Sequence, residues 1–274
     1  VKNPNATNKQ ATIHYHDIGD YLSREEKLAK ITKFKTVANA AMTWKTLEPN
    51  AEGDWLNQRN DVFDTFIPMA PEKKFDAKTT SYFTLNSLGL NSNRDSWVYN
   101  FSKIAVKENI SKMVQFYNEQ VSDYKLQKQK NPKLKATDFI SSDATKISWS
   151  SSLIPNLERG NYAIFDEDKI TTSLYRPFFK QNLYYGDKML HRRGQFNELY
   201  PNTKVNNCVI SLTGLGASKE FSCLISNVMP DLQVQMNNQC FPLYYYEERQ
   251  KNSPSLFDAA GDSEYIRRDG ISDF

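Results

Sequence analysis

The chain has 274 residues, of which 39% are hydrophobic and 24% are charged, and its formal net charge is +3. This composition is typical of a folded globular protein, and the absence of a long apolar run excludes a membrane span. Because the net charge is small, any basic surface for a partner must be local.

The two ends of the chain predict a fragment, and the cysteines predict the compartment. It begins with VKNPNATNKQ, without Met or a signal pattern, and ends with RRDGISDF, which looks like the start of another packed element. We therefore expect a fragment of a longer protein. The odd number of cysteines and the lack of a C-x-x-C motif argue against a disulfide framework and a zinc site, so we expect a cytoplasmic protein. The cysteines are Cys208, Cys223 and Cys240.

The first predicted elements are a strand and a helix. In residues 11–21, successive side chains alternate in the way expected for the two faces of a strand, and a turn follows at Gly19. This alternation predicts a strand. Ser23 and Glu26 have the spacing of a capping box, which marks the start of a helix. The apolar residues predicted to form its buried stripe are Leu28, Ile31, Phe34 and Val37.

An irregular segment and a long helix come next. Residues 44–75 are rich in Pro, Asn, Asp and Gly, and we expect an ordered but irregular excursion. The aromatic residues expected to fix it are Trp44, Trp55, Phe63 and Phe66. Ser102 is a plausible N-cap for a helix of 3.6-residue period. Its apolar positions are Ile104, Val106, Ile110, Met113, Val114, Phe116, Tyr117 and Val121.

A run of lysines follows this helix without an intervening acid until Asp138. Such a run usually forms a solvated face or a flexible linker, and the alternative is a segment that follows phosphate groups. Its members are Lys125, Lys128, Lys130, Lys133 and Lys135.

The chain changes character near residue 136. A short helix is predicted to end at Gly160, followed by strands at 162–165, 171–179, 182–186, 206–214, 222–228 and 239–246. The pattern predicts an α+β fold in which a helix-rich N-terminal half, residues 1–135, packs on a β-rich C-terminal half, residues 136–274. The two halves could also form one continuous domain.

Motifs for catalysis or metal binding are mostly missing. His14 and His16 could share a metal on one side of a strand, but a third ligand is lacking, and His191 stands alone. The glycines of TGLGASKEF (213–221) do not have phosphate-loop spacing and indicate a turn between strands. Methyltransferase, helicase and nuclease signatures are absent too. We therefore predict no catalytic residue, no metal site and no cofactor in this chain.

A hydrolase is a further hypothesis, which would use carboxylates such as Asp54, Asp61 or Asp95. Nothing in their spacing pairs two of them for acid-base chemistry, so this hypothesis is disfavoured.

Several arginines stand beside aromatic or amide residues, at 57–61, 91–100, 174–185 and 191–194. Arg reads guanine and Asn or Gln reads adenine through paired hydrogen bonds, while Tyr and Trp stack on bases. The alternative is structural, because Arg94 with Asp95, and Arg59 with Asp61, could form ion pairs within the chain.

Six motifs together resemble the C-terminal region of type ISP restriction-modification enzymes. In chain order they are DIGDYLSREEKL, NAEGDWLNQRND, TLNSLGLNSNRDSWVYNFSK, SLYRPFFKQNLYY, NNCVISLTGLGASKEFSCLISN and QCFPLYYY. Enzymes of this family join a nuclease, a translocase, an adenine-N6 methyltransferase and a DNA specificity domain. The resemblance implies that this chain is the specificity domain and is not an enzyme on its own.

The same resemblance implies the partners. The domain would clamp double-stranded DNA, so that a neighbouring methyltransferase domain can flip and methylate an adenine. S-adenosylmethionine, ATP and Mg would be needed by the parent enzyme, which would be both methyltransferase and ATP-dependent endonuclease. The alternative is a structural or interaction module that docks neighbouring domains without touching bases.

The candidate DNA-binding residues fall into two groups. Because motifs shared across a family with different targets are poor base readers, the segment NRDSWVYN is expected to be scaffold or to position phosphates. The candidates from the shared motifs are Asn93, Arg94, Tyr175 and Arg176. The candidates for base contacts are Lys188, Arg192, Arg193, Gln195, Asn237, Asn238 and Gln239.

Overall fold

The structure, a computed structural model, describes residues 11–56, 58, 60, 62, 65–76, 78–191, 193–249 and 264–273. Its contacts divide the chain into an N-terminal unit, Val1–Phe66, and a C-terminal unit, Ile67–Phe274. Residue 136, where the sequence changes character, is not a boundary between compact units. The predictions for Arg59, Asp61 and Phe63 lie outside the described residues.

The N-terminal unit contains a strand pair and one helix. Strand β1 (Ile13–Tyr15) pairs antiparallel with β2 (Lys45–Leu47), and helix α1 (Arg24–Phe34) lies between them in the chain. The predicted capping box is confirmed: Glu26 N donates to Ser23 Oγ, and Ser23 N donates to the Glu26 carboxylate at 2.8 Å. The carboxylate thereby satisfies one of the free N–H groups at the helix start, and the same bond lowers the pKa of Glu26.

The described part of the N-terminal unit shows no buried core, because none of its residues from 11 to 66 is buried. The prediction of a buried stripe on α1 is wrong: Leu28 is 53% exposed, Ile31 is 56% exposed, and Val37 lies beyond the helix end. Trp44 and Trp55, which were expected to fix the following segment, are exposed too. A helix of this length has marginal stability in water without tertiary packing. The secondary structure of this unit is therefore only weakly stabilised.

The C-terminal unit is built on two four-stranded sheets. In the first, the strand order is β3 (Ser87–Leu88), β10 (Gln239–Pro242), β7 (Val209–Leu212) and β8 (Cys223–Ser226), with antiparallel neighbours. In the second, the order is β4 (Tyr99–Asn100), β6 (Phe179–Tyr184), β5 (Ile170–Arg176) and β9 (Met229–Pro230), and β9 runs parallel to β5. A separate hairpin joins β11 (Tyr244–Glu248) to β12 (Tyr265–Asp269).

Helix α3 (Lys103–Lys130) forms the centre of the core. Ser102 caps it as predicted, since Ala105 N donates to Ser102 Oγ at 3.2 Å. Its buried face packs against β6, β5 and the short helix α5 (Leu153–Glu158). The buried residues are Val106, Ile110, Met113, Val114, Tyr117, Val121 and Tyr124. The remaining helices are α2 (Asp95–Val98), α4 (Ala136–Phe139) and α6 (Phe196–Leu199).

This architecture confirms the α+β fold class, and most predicted strands are present. One is wrong: residues 162–165 form no strand, and Ala163 instead bonds through its N–H and carbonyl to the side chain of Asn118 on α3. Ile104, predicted to face the core, is exposed. The described helices include none that is long and apolar enough to cross a membrane.

Burial predicts that α1 opens far more readily than α3. We expect amide hydrogen exchange in the 274-residue chain to give α1 an opening free energy of about 1 kcal/mol or less, and α3 a value of about 5 kcal/mol or more. Mass spectrometry of peptides from the two helices measures this difference. Equal protection of both helices would contradict it.

Candidate functional site

Four segments of the C-terminal unit meet at one end of its sheets. Strands β5 and β9 are parallel, and Pro230 at the end of β9 pairs with Leu174, two residues before the end of β5. Residues 231–238 then lead to β10, whose first residue pairs with the last residue of β7, so that 213–222 emerges nearby. Residues 89–95 join through a bridge between Leu90 and Asp231. We call segments 89–95, 176–179, 213–222 and 231–238 the loop end.

The carboxylate of Asp231 ties the loop end together. It accepts hydrogen bonds from Arg176 Nη1 at 2.8 Å, from Gln233 N at 2.9 Å and from the Tyr99 hydroxyl at 3.3 Å. The backbone of Asp231 adds a further link, since its N–H donates to Leu174 O at 2.9 Å. One buried side chain therefore holds β4, β5 and the 231–238 segment in a fixed arrangement.

Asp95 extends this network to α2. The Tyr175 hydroxyl donates to its carboxylate at 2.9 Å, and the guanidinium of Arg176 lies 3.7 Å away. That guanidinium also stacks on the Tyr175 ring, 3.8 Å from its centroid. Tyr175 and Arg176, predicted to contact DNA, thus brace the loop end. The positive charge of Arg176 is balanced by two carboxylates.

Burial changes the acidity of this network. Removal from water raises the pKa of Asp231 to about 6, although Arg176 and the N–H of Gln233 act in the opposite direction. Burial likewise raises the pKa of Tyr99, with the negative charge of Asp231 adding to the effect. The network is therefore sensitive to pH in the mildly acidic range.

Arg94, a candidate for DNA contact, is buried and hydrogen-bonded within the scaffold. Only 3% of the residue is exposed, and its guanidinium donates to Ser148 O at 3.1 Å, Ser150 Oγ at 2.5 Å and Lys188 O at 3.5 Å. Burial lowers the pKa of Arg94 to about 10. Its hydrogen bonds hold three segments together, which agrees with the scaffold role considered for NRDSWVYN.

The loops 213–222 and 231–238 are locked to each other. A Cβ on Gly214 would lie 1.9 Å from Asn237 O, so only glycine fits there. Asn237 is exposed in a left-handed conformation (φ 54°), and its side-chain oxygen accepts from Gln233 Nε2 at 3.1 Å. Asn238 is fully buried, with its amide beside the carbonyl oxygens of Asp231 and Leu232. Asn238, a candidate for base contact, therefore has no exposed surface in this structure.

Four other predicted residues remain: Asn93 belongs to the loop end, whereas Lys188 lines a pocket with Lys169 and Asp187 near the opposite end. Gln239 accepts a hydrogen bond from Asn86 Nδ2 at 2.7 Å, and Gln195 N donates to Ser87 Oγ at 3.2 Å. Lys188 donates through Nζ to Tyr162 O at 2.8 Å, in a group whose other cation is Lys125, 4.6 Å from the centroid of the Tyr162 ring. Asn93 is exposed with φ 53°. Arg192 lies outside the described residues.

Arg193 lies at the opposite end of β5 and β6, in an acidic cavity of about 830 Å³. It pairs with Asp187 at 2.6 Å and stacks on the ring of Tyr185, 4.1 Å from its centroid. The cavity is lined by three cationic residues, Lys169, Arg193 and Lys204, and by six acidic ones. The acids are Asp166, Asp168, Asp187, Glu198, Glu247 and Glu248. A polyanion is repelled by such a surface, so Arg193 is poorly placed to contact DNA.

The described residues contain no cluster of three potential metal-ligating side chains. His16 Nδ1 lies 3.0 Å from Thr43 O, which is a structural contact. Asp54 accepts a hydrogen bond from Asn50 Nδ2 at 3.1 Å, and Asp95 accepts one from the Tyr175 hydroxyl.

Sequence reasoning missed Asp231, Gln233 and Phe178 as parts of the loop end. The Pro-Phe pair that follows Arg176 was a usable signal, because a Phe after a turn Pro at a hairpin tip has an unusual position. No comparable signal in the sequence distinguishes Asp231 from other acids.

The raised pKa of Asp231 predicts a pH-dependent stability. Because the folded protein holds the proton more tightly than the unfolded chain does, the contribution of Asp231 is greatest below pH 4 and falls as the pH rises to about 6. Relative to Asp231→Asn, the wild-type free energy of unfolding should fall by up to about 3 kcal/mol between pH 4 and pH 7. Denaturant titrations measure it, and a difference that does not change with pH would contradict it.

The scaffold role of Arg94 predicts a loss of stability on conservative replacement. Arg94→Lys keeps the charge but loses the forked hydrogen bonds, and should lower the free energy of unfolding by about 1–3 kcal/mol. Arg159→Lys, at an exposed arginine, should change it by less than about 0.5 kcal/mol. If both variants unfold like the wild type, Arg94 is not a structural residue.

Comparisons with known proteins identify the family of this chain. The family described as the Type ISP C-terminal specificity domain matches residues 81–274. Among solved structures, a nuclease-deletion mutant of the Type ISP restriction-modification enzyme LlaGI, in complex with a DNA substrate mimic, is 30% identical with a TM-score of 0.74. The match covers 97% of this chain and 23% of that one. Comparison with curated proteins gives no match.

Two further structures have the same fold. The ATP-dependent Type ISP enzyme LlaBIII, bound to DNA, is 30% identical with a TM-score of 0.72, over 96% of this chain and 16% of that one. A DrdV–DNA complex is 24% identical with a TM-score of 0.73, over 96% and 24% of the two chains. This chain therefore spans about a quarter or less of the proteins it matches. The family match over most of its length shows that the chain belongs to the Type ISP family, as its C-terminal specificity domain.

Proposed function

We propose that the chain recognises a specific sequence in double-stranded DNA and positions a target adenine for N6-methylation by a neighbouring domain of a longer parent protein. The observation that carries this proposal is its membership of the Type ISP specificity-domain family. Two relatives with 30% identity, LlaGI and LlaBIII, are described with a DNA mimic or DNA bound.

The distribution of polar groups supports the loop end as the surface that faces DNA. Exposed amides of Asn93, Gln233 and Asn237 stand there, and amides can pair with the edges of adenine in the major groove. Two of the three acids of the loop end, Asp95 and Asp231, are held by Arg176 and by tyrosine hydroxyls, and the third, Glu220, is exposed next to Lys219. The other end carries the acidic cavity, which disfavours DNA.

The predicted residues then take different roles. Asn93 and Asn237 are the proposed base readers, and Gln195 and Gln239 are half-buried neighbours that support them. Lys188, beside the same tyrosine as Lys125, lies outside the loop end, and we propose it only as a phosphate contact at the flank of the domain. Such contacts fix the position of a protein on the duplex without reading sequence.

The chemistry would belong to the rest of the parent protein. We propose that the parent is an adenine-N6 methyltransferase and an ATP-dependent endonuclease that uses S-adenosylmethionine, ATP and Mg in the cytoplasm. This chain would contribute the affinity for one site. Its own residues would hold the duplex while the target base leaves the stack.

An interaction module that only docks neighbouring domains is the competing function. Exchange of residues 67–274 between the parent and a Type ISP relative distinguishes the two. If the chain reads DNA, the sequence context of methylated adenines should move with the exchanged segment. If it only docks domains, the context should stay with the methyltransferase.

A single variant gives a more local prediction. Asn237→Gly removes the amide but tolerates the left-handed backbone, so it should weaken binding of the parent to its site by about 1–3 kcal/mol, which is about 5- to 150-fold. Binding to unrelated duplexes should not change. Fluorescence anisotropy at fixed salt measures both affinities.

The matched control is Asn202→Gly, which removes an exposed amide beside the acidic cavity. It should leave specific and non-specific binding unchanged. If the two variants bind the site equally well, the loop end is not the reading surface.

A further inference from the structure

We propose that Phe178 is an intercalating wedge, an aromatic side chain that enters the base stack of the target duplex. This inference rests on the proposed function and deepens it, because it names a residue that distorts DNA. Four observations carry it: the backbone conformation of Phe178, its exposure, the rigidity of its support and its place at the loop end.

The turn at Phe178 breaks a local rule. Arg176 pairs with Phe179 across the β5–β6 hairpin, which leaves Pro177 and Phe178 as a two-residue turn. Phe178 has a φ of 61°, in the second central position, where a type II turn favours Gly or Asn. A bulky side chain in this left-handed conformation strains the backbone.

Nothing described within the chain compensates for this strain. Phe178 is 88% exposed, and the ring contacts among the described residues do not include it. The absence of Gly or Asn from this turn position and the exposure of an apolar ring each lower the stability of the fold. Positions that break local rules in this way are expected to be functional.

The hairpin beneath Phe178 is rigid. Arg176 is fixed by Asp231 and by the stack on Tyr175. On the other strand, the Phe179 ring packs edge-on against Phe101, with centroids 5.0 Å apart. A wedge must resist the force of base stacking, and such a brace holds its base in place.

The surroundings favour DNA as the occupant over a neighbouring protein domain. The tip belongs to the same loop end as the exposed amides of Asn93 and Asn237. Exposed cations border the aromatic pair in sequence, with Lys103 after Phe101 and Lys180 after Phe179. Apolar wedges flanked by amides and cations are a recurring means of unstacking base steps, and the unstacked step makes it easier for a base to leave the duplex.

The test uses the full-length parent and a duplex that carries its methylation site, with 2-aminopurine replacing one base at a time. Wild type should raise 2-aminopurine fluorescence at one step through unstacking. Phe178→Gly fits the left-handed backbone and removes the ring. It should abolish the rise and weaken binding tenfold or more, while raising the melting temperature by about 2–4 °C.

Phe178→Trp keeps an aromatic ring and should preserve both the fluorescence rise and the affinity. Ile271→Ala removes another exposed apolar side chain, which lies beside the end of β10 remote from the loop end, since Gly270 N donates to Leu243 O, and it should leave the DNA signals unchanged. The opposed effects of Phe178→Gly on stability and on DNA separate a functional residue from a structural one.

Three outcomes would overturn the inference. Wild-type fluorescence and affinity in Phe178→Gly would exclude a wedge and leave the proposed function intact. Poor reaction of the parent's Phe178→Cys variant with a thiol reagent in the absence of DNA, relative to the unmodified parent as background, would show that a neighbouring domain covers the tip. A wild-type parent that binds no duplex would overturn the proposed function, and this inference with it.

Discussion

The buried carboxylate of Asp231 is the contact on which the arrangement of the loop end depends. A carboxylate out of water is costly unless its oxygens are bonded, and here a guanidinium, a phenol and a backbone N–H share them. These donors come from β4, β5 and the loop that starts at Asp231. Removal of one donor would leave charge uncompensated, so the segments are held in a single relative position. A surface that distinguishes bases needs this kind of fixed geometry.

The sequence predicted a helix and its packing correctly where the apolar face of the helix is buried in the structure. Helix α3 carries apolar residues on one face and a Ser cap, and both are found as expected. Helix α1 has similar signals, and its capping box forms, yet its apolar residues are exposed. Periodicity tells which face of a helix is apolar, but not whether another surface covers that face.

The site was harder to predict than the fold, because identical side chains perform different tasks. Arg94, Arg176 and Arg193 each stand beside aromatic or amide residues in the sequence. The structure buries the first, braces the second with two acids and places the third in an acidic cavity. These fates depend on partners distant in sequence, such as Ser150 or Asp231, which local composition does not reveal. The resemblance to a family supplied the function that local patterns lacked.

The contact between Gly214 and the carbonyl of Asn237 has a consequence for how new specificities arise. Because the backbones of the two loops are in contact, an inserted residue or a side chain at 214 displaces the neighbouring loop. The sequences of the two loops therefore cannot change independently. Successful changes of target should therefore be inherited as paired substitutions in both loops. Recombination between relatives would preserve recognition only when its crossover points lie outside the interval that contains them.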